Sequence, residues 1–231
     1  MKGRIIIIEG TDCSGKETQS ELLKIYLEKL GRNVFSFYFP HYESPTGKII
    51  GGPFLGKSSI CEGWFPETAP NVDPKVASLY YAADRYYHLP IILEKLAKGI
   101  DCIIDRFTYS NMAHQAGKLK TKEERKAMFH WLEKLEFEML GLPKPDIRLF
   151  LHMPFEAGKI LRENRTEELD ENERNDDYLK ISEQAYLEIA ELFDFKTIEC
   201  SNHNIKSITD IKTPEKIHEE IVEYLMNLEN M

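Results

Sequence analysis

Residues 4 to 19 read Arg-Ile-Ile-Ile-Ile-Glu-Gly-Thr-Asp-Cys-Ser-Gly-Lys-Glu-Thr-Gln. A short β-branched run enters a loop bracketed by Gly10 and Gly15. Lys16 follows, and then a helix-periodic stretch with Leu22, Leu23, Tyr26, Leu27 and Leu30. Strand, glycine loop, lysine and helix in that order make a cradle for phosphate. Glycines let backbone N–H groups converge on phosphate oxygens, the helix N-terminus adds partial positive charge, and the lysine reaches the β/γ-phosphates of a nucleotide. Gly10 to Lys16 fits G-x-x-x-x-G-K-[ST] up to its last position. There Glu17 stands where a hydroxyl usually ligates Mg²⁺, and the nearest hydroxyl is Thr18. An ordinary Gly-containing βα turn accounts for Gly10 and Gly15. It does not account for a cation at a helix start, which the macrodipole disfavours unless an anion is bound.

Strand-like runs fall at 4–9, 33–39, 101–105, 147–152 and 196–200. Helical periodicity falls at 16–30, 74–98, 122–140, 154–161, 177–193 and 214–228. This alternation predicts an α/β fold, a five-stranded parallel sheet flanked by helices on both faces. In such sheets ligands sit at the carboxyl ends of the strands, near the topological switch point. Gly10, Pro40, Asp105 and Met153 all follow or end strands and are expected to border one crevice. At 231 residues the chain is expected to be a single domain, 1–231. The Gly/Pro-rich stretch 52–73, with Trp64, predicts a long loop. Residues 163 to 177 carry eight carboxylates against two arginines. They fit either a solvated polar stretch or a lid at about 162–177 that brings Arg162, Arg165 or Arg174 to phosphates and excludes water.

Net charge is −9, which argues against a general nucleic-acid surface. Cys13, Cys61, Cys102 and Cys200 are widely spaced and form no C-x-x-C pair. That pattern, with no signal peptide, predicts a reducing, cytoplasmic setting. No apolar run approaches the length that spans a bilayer. The seven histidines show no metal spacing, and His130 and His152 fit packing or surface roles.

Asp105 and Arg106 follow the strand at 101–105. A carboxylate at that strand end, beside the phosphate loop, can hold Mg²⁺ or a Mg²⁺-bound water. Arg106 offers a fork of donors to a second phosphate. A surface Asp-Arg pair is the plain alternative, but the polar run through Thr108, Ser110, Asn111, His114 and Gln115 opens a helix directly behind it. Tyr81 and Arg85 are four apart and share a helix face. An aromatic with an arginine beside it suits a nucleobase, by stacking and by donation to a carbonyl; a partly buried Tyr with a surface Arg remains the other possibility. Asp12, inside the phosphate loop, needs a cation or a donor, and a sugar hydroxyl or Mg²⁺ would serve.

Taken together these segments resemble thymidylate kinase. The resemblance rests on Glu9 to Gln19, Phe39-Pro40, Tyr81 to Arg85, and Asp105-Arg106-Phe107 with Ser110, Asn111 and Gln115, in order and spacing to about residue 200. It implies a P-loop kinase fold and transfer of the ATP γ-phosphoryl group to dTMP, giving dTDP for dTTP synthesis, with Mg²⁺ and usually in a homodimer. It places ATP on Gly10, Thr11, Asp12, Cys13, Ser14, Gly15, Lys16, Glu17 and Thr18. The acceptor is placed among Asp12, Phe39, Pro40, Tyr42, Tyr81, Arg85, Arg106, Ser110, Asn111, His114 and Gln115. Catalytic groups are expected at Lys16, Asp12, Arg106, Arg162 and Arg165, and metal contacts at Asp12 and Asp105. Tyr42 stands where many members carry an acceptor-phosphate arginine, leaving more of that role to Arg106, with Lys48 as a helper. A kinase for another pyrimidine monophosphate or a deoxynucleoside, or a nucleotide-binding module without catalysis, are the alternatives.

Overall fold

The first strand, β1 (Ile5–Gly10), is buried along its whole length. Ile5 and Ile7 turn to one face and Ile6 and Ile8 to the other, all at 1% exposure or less. A strand apolar on both faces belongs inside a parallel sheet covered by helices. The computed structural model describes residues 2–163, 174–202, 205 and 207–229. After β1 come α1 (Lys16–Lys29), β2 (Val34–Tyr38), α2 (Pro45–Ile49), α3 (Pro74–Ala97), β3 (Asp101–Asp105), α4 (Thr108–Ala116) and α5 (Lys122–Glu133). Then follow β4 (Ile147–His152), α6 (Phe155–Glu163), α7 (Asp176–Leu192), β5 (Lys196–Glu199) and α8 (Pro214–Glu229). The five strands are parallel, in the order β2-β3-β1-β4-β5, as the alternation predicted. The chain runs to one side of β1 for β2 and β3, then to the other for β4 and β5. The switch point therefore lies at the end of β1, where Gly10 begins the glycine loop.

Two apolar layers clamp the sheet. Ile5 and Ile7 pack with Leu89 of α3, Met112 of α4, Leu132 of α5 and Tyr186 of α7. Ile6 and Ile8 pack with Leu23 and Leu27 of α1 and with Ile221 and Leu225 of α8. Among the described residues no helix is long and apolar enough to cross a membrane.

One segment differs from the sequence expectation. The helical pattern 122–140 is an α-helix only as far as Glu133, and the chain then winds more widely as a π-helical turn, Lys134–Met139. There Leu140 N donates to Leu135 O at 2.9 Å, and the sequence neighbours Glu136 and Phe137 are both buried. The stretch 52–73 runs mostly without helix or strand, and it is packed against α3. Ser44 Oγ accepts from Gly47 N at 2.9 Å and caps α2, and a π-helical turn, Ile50–Phe54, follows. Phe54, Leu55 and Val72 are buried against Ala77 of α3, with Tyr80 and Tyr81 alongside. Lys118 Nζ donates to Ala69 O at 2.9 Å and Val72 O at 3.1 Å, tying the segment to the end of α4. Apolar burial against α3 outweighs the Gly and Pro content here. Most of the expected lid, and Arg165 with it, lies outside the described residues.

The start of β3 is held electrostatically. The fully buried Asp101 carboxylate accepts from Arg4 N at 2.9 Å, Arg4 Nη2 at 3.0 Å and Arg32 Nη2 at 2.9 Å. Burial alone would raise its pKa, but the bonds from Arg32 and Arg4 hold it below the ordinary carboxylate range. A depressed carboxylate stabilises the fold above its unfolded pKa, and that contribution is lost as pH falls through the folded value. Breaking a buried pair costs about 3–5 kcal/mol, less where the cations are partly wet, as both arginines are here. Asp101→Asn should therefore lower the unfolding free energy by about 2 kcal/mol near neutral pH. The gap from wild type should close as pH falls below about 4, in urea titrations.

Candidate active site

The loop between β1 and α1 is shaped by backbone that needs glycine at two points. A side chain at Gly10 would meet Ser14 Oγ at 2.3 Å and Leu151 O at 2.8 Å, and Gly15 has φ +76°. The loop is anchored to β4, because Thr11 Oγ1 donates to Met153 O at 2.7 Å and accepts from Met153 N at 2.8 Å. Inside this ring sits the Lys16 ammonium, 2.9 Å from Thr11 O, 3.2 Å from Gly10 O and 3.4 Å from Ser14 Oγ. Burial, with Arg106 nearby, pushes its pKa down to about 8. The loop amides, the helix start and Lys16 therefore meet at the carboxyl end of β1, ready for an anion.

Asp105 ends β3 beside β1, with Ile8 as its register partner. Burial raises its pKa against the pull of Lys16 and Arg106, and its Oδ1 is buried without a hydrogen-bond partner among the described residues. Arg106 follows with φ +61°, a left-handed conformation that costs a non-glycine residue energy and is found at functional sites. Its guanidinium makes no hydrogen bond to any described residue. Asp12, by contrast, is already engaged: Arg162 Nη1 donates to it at 3.0 Å. Burial would raise the Asp12 pKa, but Lys16 and the Arg162 bond outweigh it and lower it. Arg162 lies over the Phe155 ring at 5.3 Å, and its buried Nη2 makes no hydrogen bond among the described residues but lies 3.8 Å from Asp176 Oδ1.

Between α3, α4 and the 39–55 segment opens a cleft. Asp12, Phe39, Pro40, Tyr42, Tyr81, Arg85, Arg106, Ser110, Asn111, His114 and Gln115 all line it, joined by Leu55, Leu179 and Ser182. Phe39 and Pro40 are joined by a cis peptide bond. Tyr81 is held edge-on by Phe54 at 5.8 Å. Lys57 Nζ lies 5.0 Å from the centroid of the Tyr42 ring. His114 Nδ1 lies 3.1 Å from the Tyr178 hydroxyl of α7, and burial with repulsion from Arg106 and Lys16 depresses its pKa to about 3, so the ring is neutral. Asn111 Oδ1 and Gln115 Oε1 are buried and have no partner among the described residues.

Several residues beneath the cleft escaped the sequence reading. Glu9 is fully buried and receives Phe107 N at 2.7 Å, Ser110 N at 3.1 Å and the Ser110 hydroxyl. Burial raises its pKa against these bonds. Ser110 Oγ also contacts Tyr186 Oη at 2.8 Å, so its hydroxyl serves the floor of the cleft. Arg85 is locked by Glu136 through Nε and through Nη2 at 2.7 Å. Asp84, beside it, accepts from His41 N at 3.0 Å and Thr46 Oγ1 at 2.6 Å, fixing the 41–46 segment. A signal for Glu136 existed: it lies four residues after Leu132, on the inward stripe of a helical pattern, where an acid needs a partner.

This arrangement defines a class, the P-loop enzymes that pass a phosphoryl group from a nucleotide to an acceptor held in an adjoining cleft. A thymidylate kinase family model matches residues 8–211. A probable thymidylate kinase of Methanocaldococcus jannaschii is 32% identical over 223 residues, 96% of each chain. The thymidylate kinase of Danio rerio is 25% identical over 98% of this chain and 92% of its own. In fold, the solved thymidylate kinase of Candida albicans superposes with a TM-score of 0.74, covering 99% of this chain and 93% of its own at 24% identity. The chain belongs to the thymidylate kinase family, and is an ATP-dependent nucleoside-monophosphate kinase.

The depressed Lys16 pKa has a readable consequence. A bound triphosphate supplies anions that favour the charged ammonium and raise its pKa, so binding takes up a proton above about pH 8. Affinity for a non-hydrolysable ATP analogue should be level below about pH 8 and weaken as pH rises beyond it, by up to about tenfold per unit. Calorimetric titration across that range should show the slope in wild type and a flat, weak profile in Lys16→Met.

Proposed function

We propose that this chain transfers the γ-phosphoryl group of ATP to dTMP with the donor on Gly10–Thr18 and the acceptor in the cleft between α3 and α4. The observation that carries the residue assignment is Arg106. It lines the cleft, lowers the Lys16 pKa by its proximity, and keeps its guanidinium free of hydrogen bonds to the described residues. It thus stands between donor and acceptor phosphates with its donors available. Phosphoryl transfer needs positioning and charge neutralisation more than covalent chemistry. Lys16 and the loop amides orient the donor, Arg106 binds the acceptor phosphate, and Asp12 serves the acceptor sugar and phosphate end. Either Arg162, held by Asp12, or Arg165 meets the transferring group when the lid closes. Tyr81 stacks on the base, and Arg85 donates to its carbonyl. His114 and Gln115 complete the sugar and base walls.

Mg²⁺ fits this site. Asp105 offers an unpartnered carboxylate oxygen at the end of β3 and borders the same groove as Glu17. Among the described residues no three ligating side chains gather into a metal cage. That suits an ion which keeps several waters and rests on substrate phosphates and one or two carboxylates. Held there, Mg²⁺ would supply charge neutralisation to the β- and γ-phosphates. Asp105 is the better candidate, since Asp12 is occupied by Arg162.

The active form is a homodimer, with residues 1–231 acting as one domain per subunit. Val76, Leu79, Ala83, Tyr86, Pro90, Leu93 and Ala97 recur at three- and four-residue spacing along α3 and all are exposed. A seam of this kind matches a second copy of itself across a two-fold axis. The four free thiols fit a reducing, cytoplasmic setting.

Steady-state kinetics against a panel of monophosphates test the reading. dTMP should be the best acceptor, dUMP next within the factor one methyl allows, about 1–3 kcal/mol, and dCMP poor. Arg106→Ala should raise KM for the monophosphate far more than KM for ATP; equal effects on both substrates would remove Arg106 from the acceptor. Leu79→Glu should convert the protein to monomers in sedimentation, whereas an unchanged sedimentation coefficient would exclude the α3 seam.

A further inference from the structure

One carboxylate beneath the cleft makes its hydrogen bonds to residues of α3 and α4. Glu136 is fully buried on the π-helical turn Lys134–Met139. Its Oε1 accepts from Arg85 Nη2 at 2.7 Å and Asn111 Nδ2 at 3.2 Å. Its Oε2 accepts from Thr108 Oγ1 at 3.1 Å and from Arg85 Nε. A carboxylate only accepts, and so does a backbone carbonyl. The end of the Asn111 amide that meets Glu136 also lies 3.1 Å from Ser78 O. Two acceptors against one end of an amide require that end to be Nδ2. The other end, Oδ1, is therefore the one left buried and unpartnered, on a side chain that lines the cleft.

The same carboxylate disposes of Arg85. Two of its nitrogens are spent on Glu136, and Nη1 keeps only a long 3.5 Å contact with Phe107 O. Arg85 Nη1 and Asn111 Oδ1 are then the donor and the acceptor that these two cleft-lining side chains have left to give. This pair complements a carbonyl adjacent to an imino N–H, the edge that thymine and uracil present. Cytosine presents an amine and a bare ring nitrogen on that edge, and opposes both groups.

We propose that Glu136 is the positioning residue that sets pyrimidine choice, because it fixes the donor and acceptor ends of Arg85 and Asn111 without touching the base. The proposal rests on the reading that the base lies beside Tyr81 and Arg85. Leaving an amide free to present either end removes the penalty on the wrong base, since a buried mismatched polar group is the costly one.

The test is the ratio of kcat/KM for dUMP over dCMP, which cancels the thymine methyl. Glu136→Gln places an NH₂ group against either Arg85 or Asn111. In that variant the ratio should fall by about ten- to a hundredfold, through KM for the monophosphate, with KM for ATP unmoved. A purely structural Glu136 would depress both acceptors alike and leave the ratio at its wild-type value, which would overturn the proposal. Should the Gln variant fail to fold, the apolar pair Arg85→Met with Glu136→Met removes the buried ions together and is the tolerated way to do so. Asn111 is then left to Ser78 O alone. A dUMP over dCMP ratio no lower in that protein than in Arg85→Met alone would show that Glu136 does not orient the amide, while a ratio clearly below that of Arg85→Met supports the proposal. A wild type that does not prefer dUMP over dCMP would take down the base-site reading itself, and the role of Glu136 with it.

Discussion

Burial of β1 on both faces is the constraint from which the site follows. Its four isoleucines are removed from water in alternation, two into each layer. At about 1.5–3 kcal/mol for each fully buried side chain this is a large local driving force. It also fixes register, because a one-residue slip would exchange the two layers. A strand so placed can end only at the switch point, and its last residues, Glu9 and Gly10, deliver the two halves of the machinery. Gly10 starts the phosphate loop. Glu9 reaches beneath the sheet edge to Phe107 N and Ser110 N, so the start of α4 is held by the same strand. The donor loop and the acceptor wall share one support, which limits how far they can shift relative to each other.

Charge is arranged with the same economy. The chain is acidic overall, at −9, yet Lys16, Arg106 and Arg162 converge at the end of β1. Each is restrained while no phosphate is bound. Loop carbonyls hold Lys16, Asp12 holds Arg162, and a left-handed backbone aims Arg106. In the proposed transfer Lys16 and Arg106 would therefore meet the developing charge without reorganising at the moment of reaction. Asp105 and Asp12 keep this gathering of cations from being self-repulsive.

The acceptor side is more individual. Tyr42 carries no charge, and Lys57 lies over its ring. The 45–72 segment is packed onto α3 by Phe54, Leu55 and Val72, which brings Leu55 into the cleft wall. Asp84 pins the 41–46 stretch from the same helix that supplies Tyr81 and Arg85. His114 meets Tyr178 on the helix that follows the expected lid, so the cleft floor and the lid side are in contact.

How much of this was legible in the residues depended on whether the signal was local. The β-branched run, Gly10, Gly15, Lys16 and the 3.6-residue periodicity behind them are neighbours in sequence, so β1, the loop and α1 were readable directly. Strand and helix alternation carried the parallel sheet for the same reason. Tyr81 with Arg85, and Asp105 with Arg106, were visible as pairs because helix and strand geometry place them on one face or at one end. Partners from distant elements were not visible. Nothing local shows that Glu9 meets Ser110, that Glu136 takes two nitrogens of Arg85, or that Asp12 receives Arg162. A hydrogen bond between residues 51, 101 or 150 positions apart has no periodicity to announce it. The widening at Lys134–Met139 and the packed 45–72 segment were hidden likewise, since each is decided by apolar surface supplied from another helix. The sequence by itself determined the order of elements and the residue types at the strand ends, because those rest on propensity and spacing. Which of those polar groups are held, and which are left free to meet a ligand, was decided only when tertiary packing set the distances between them.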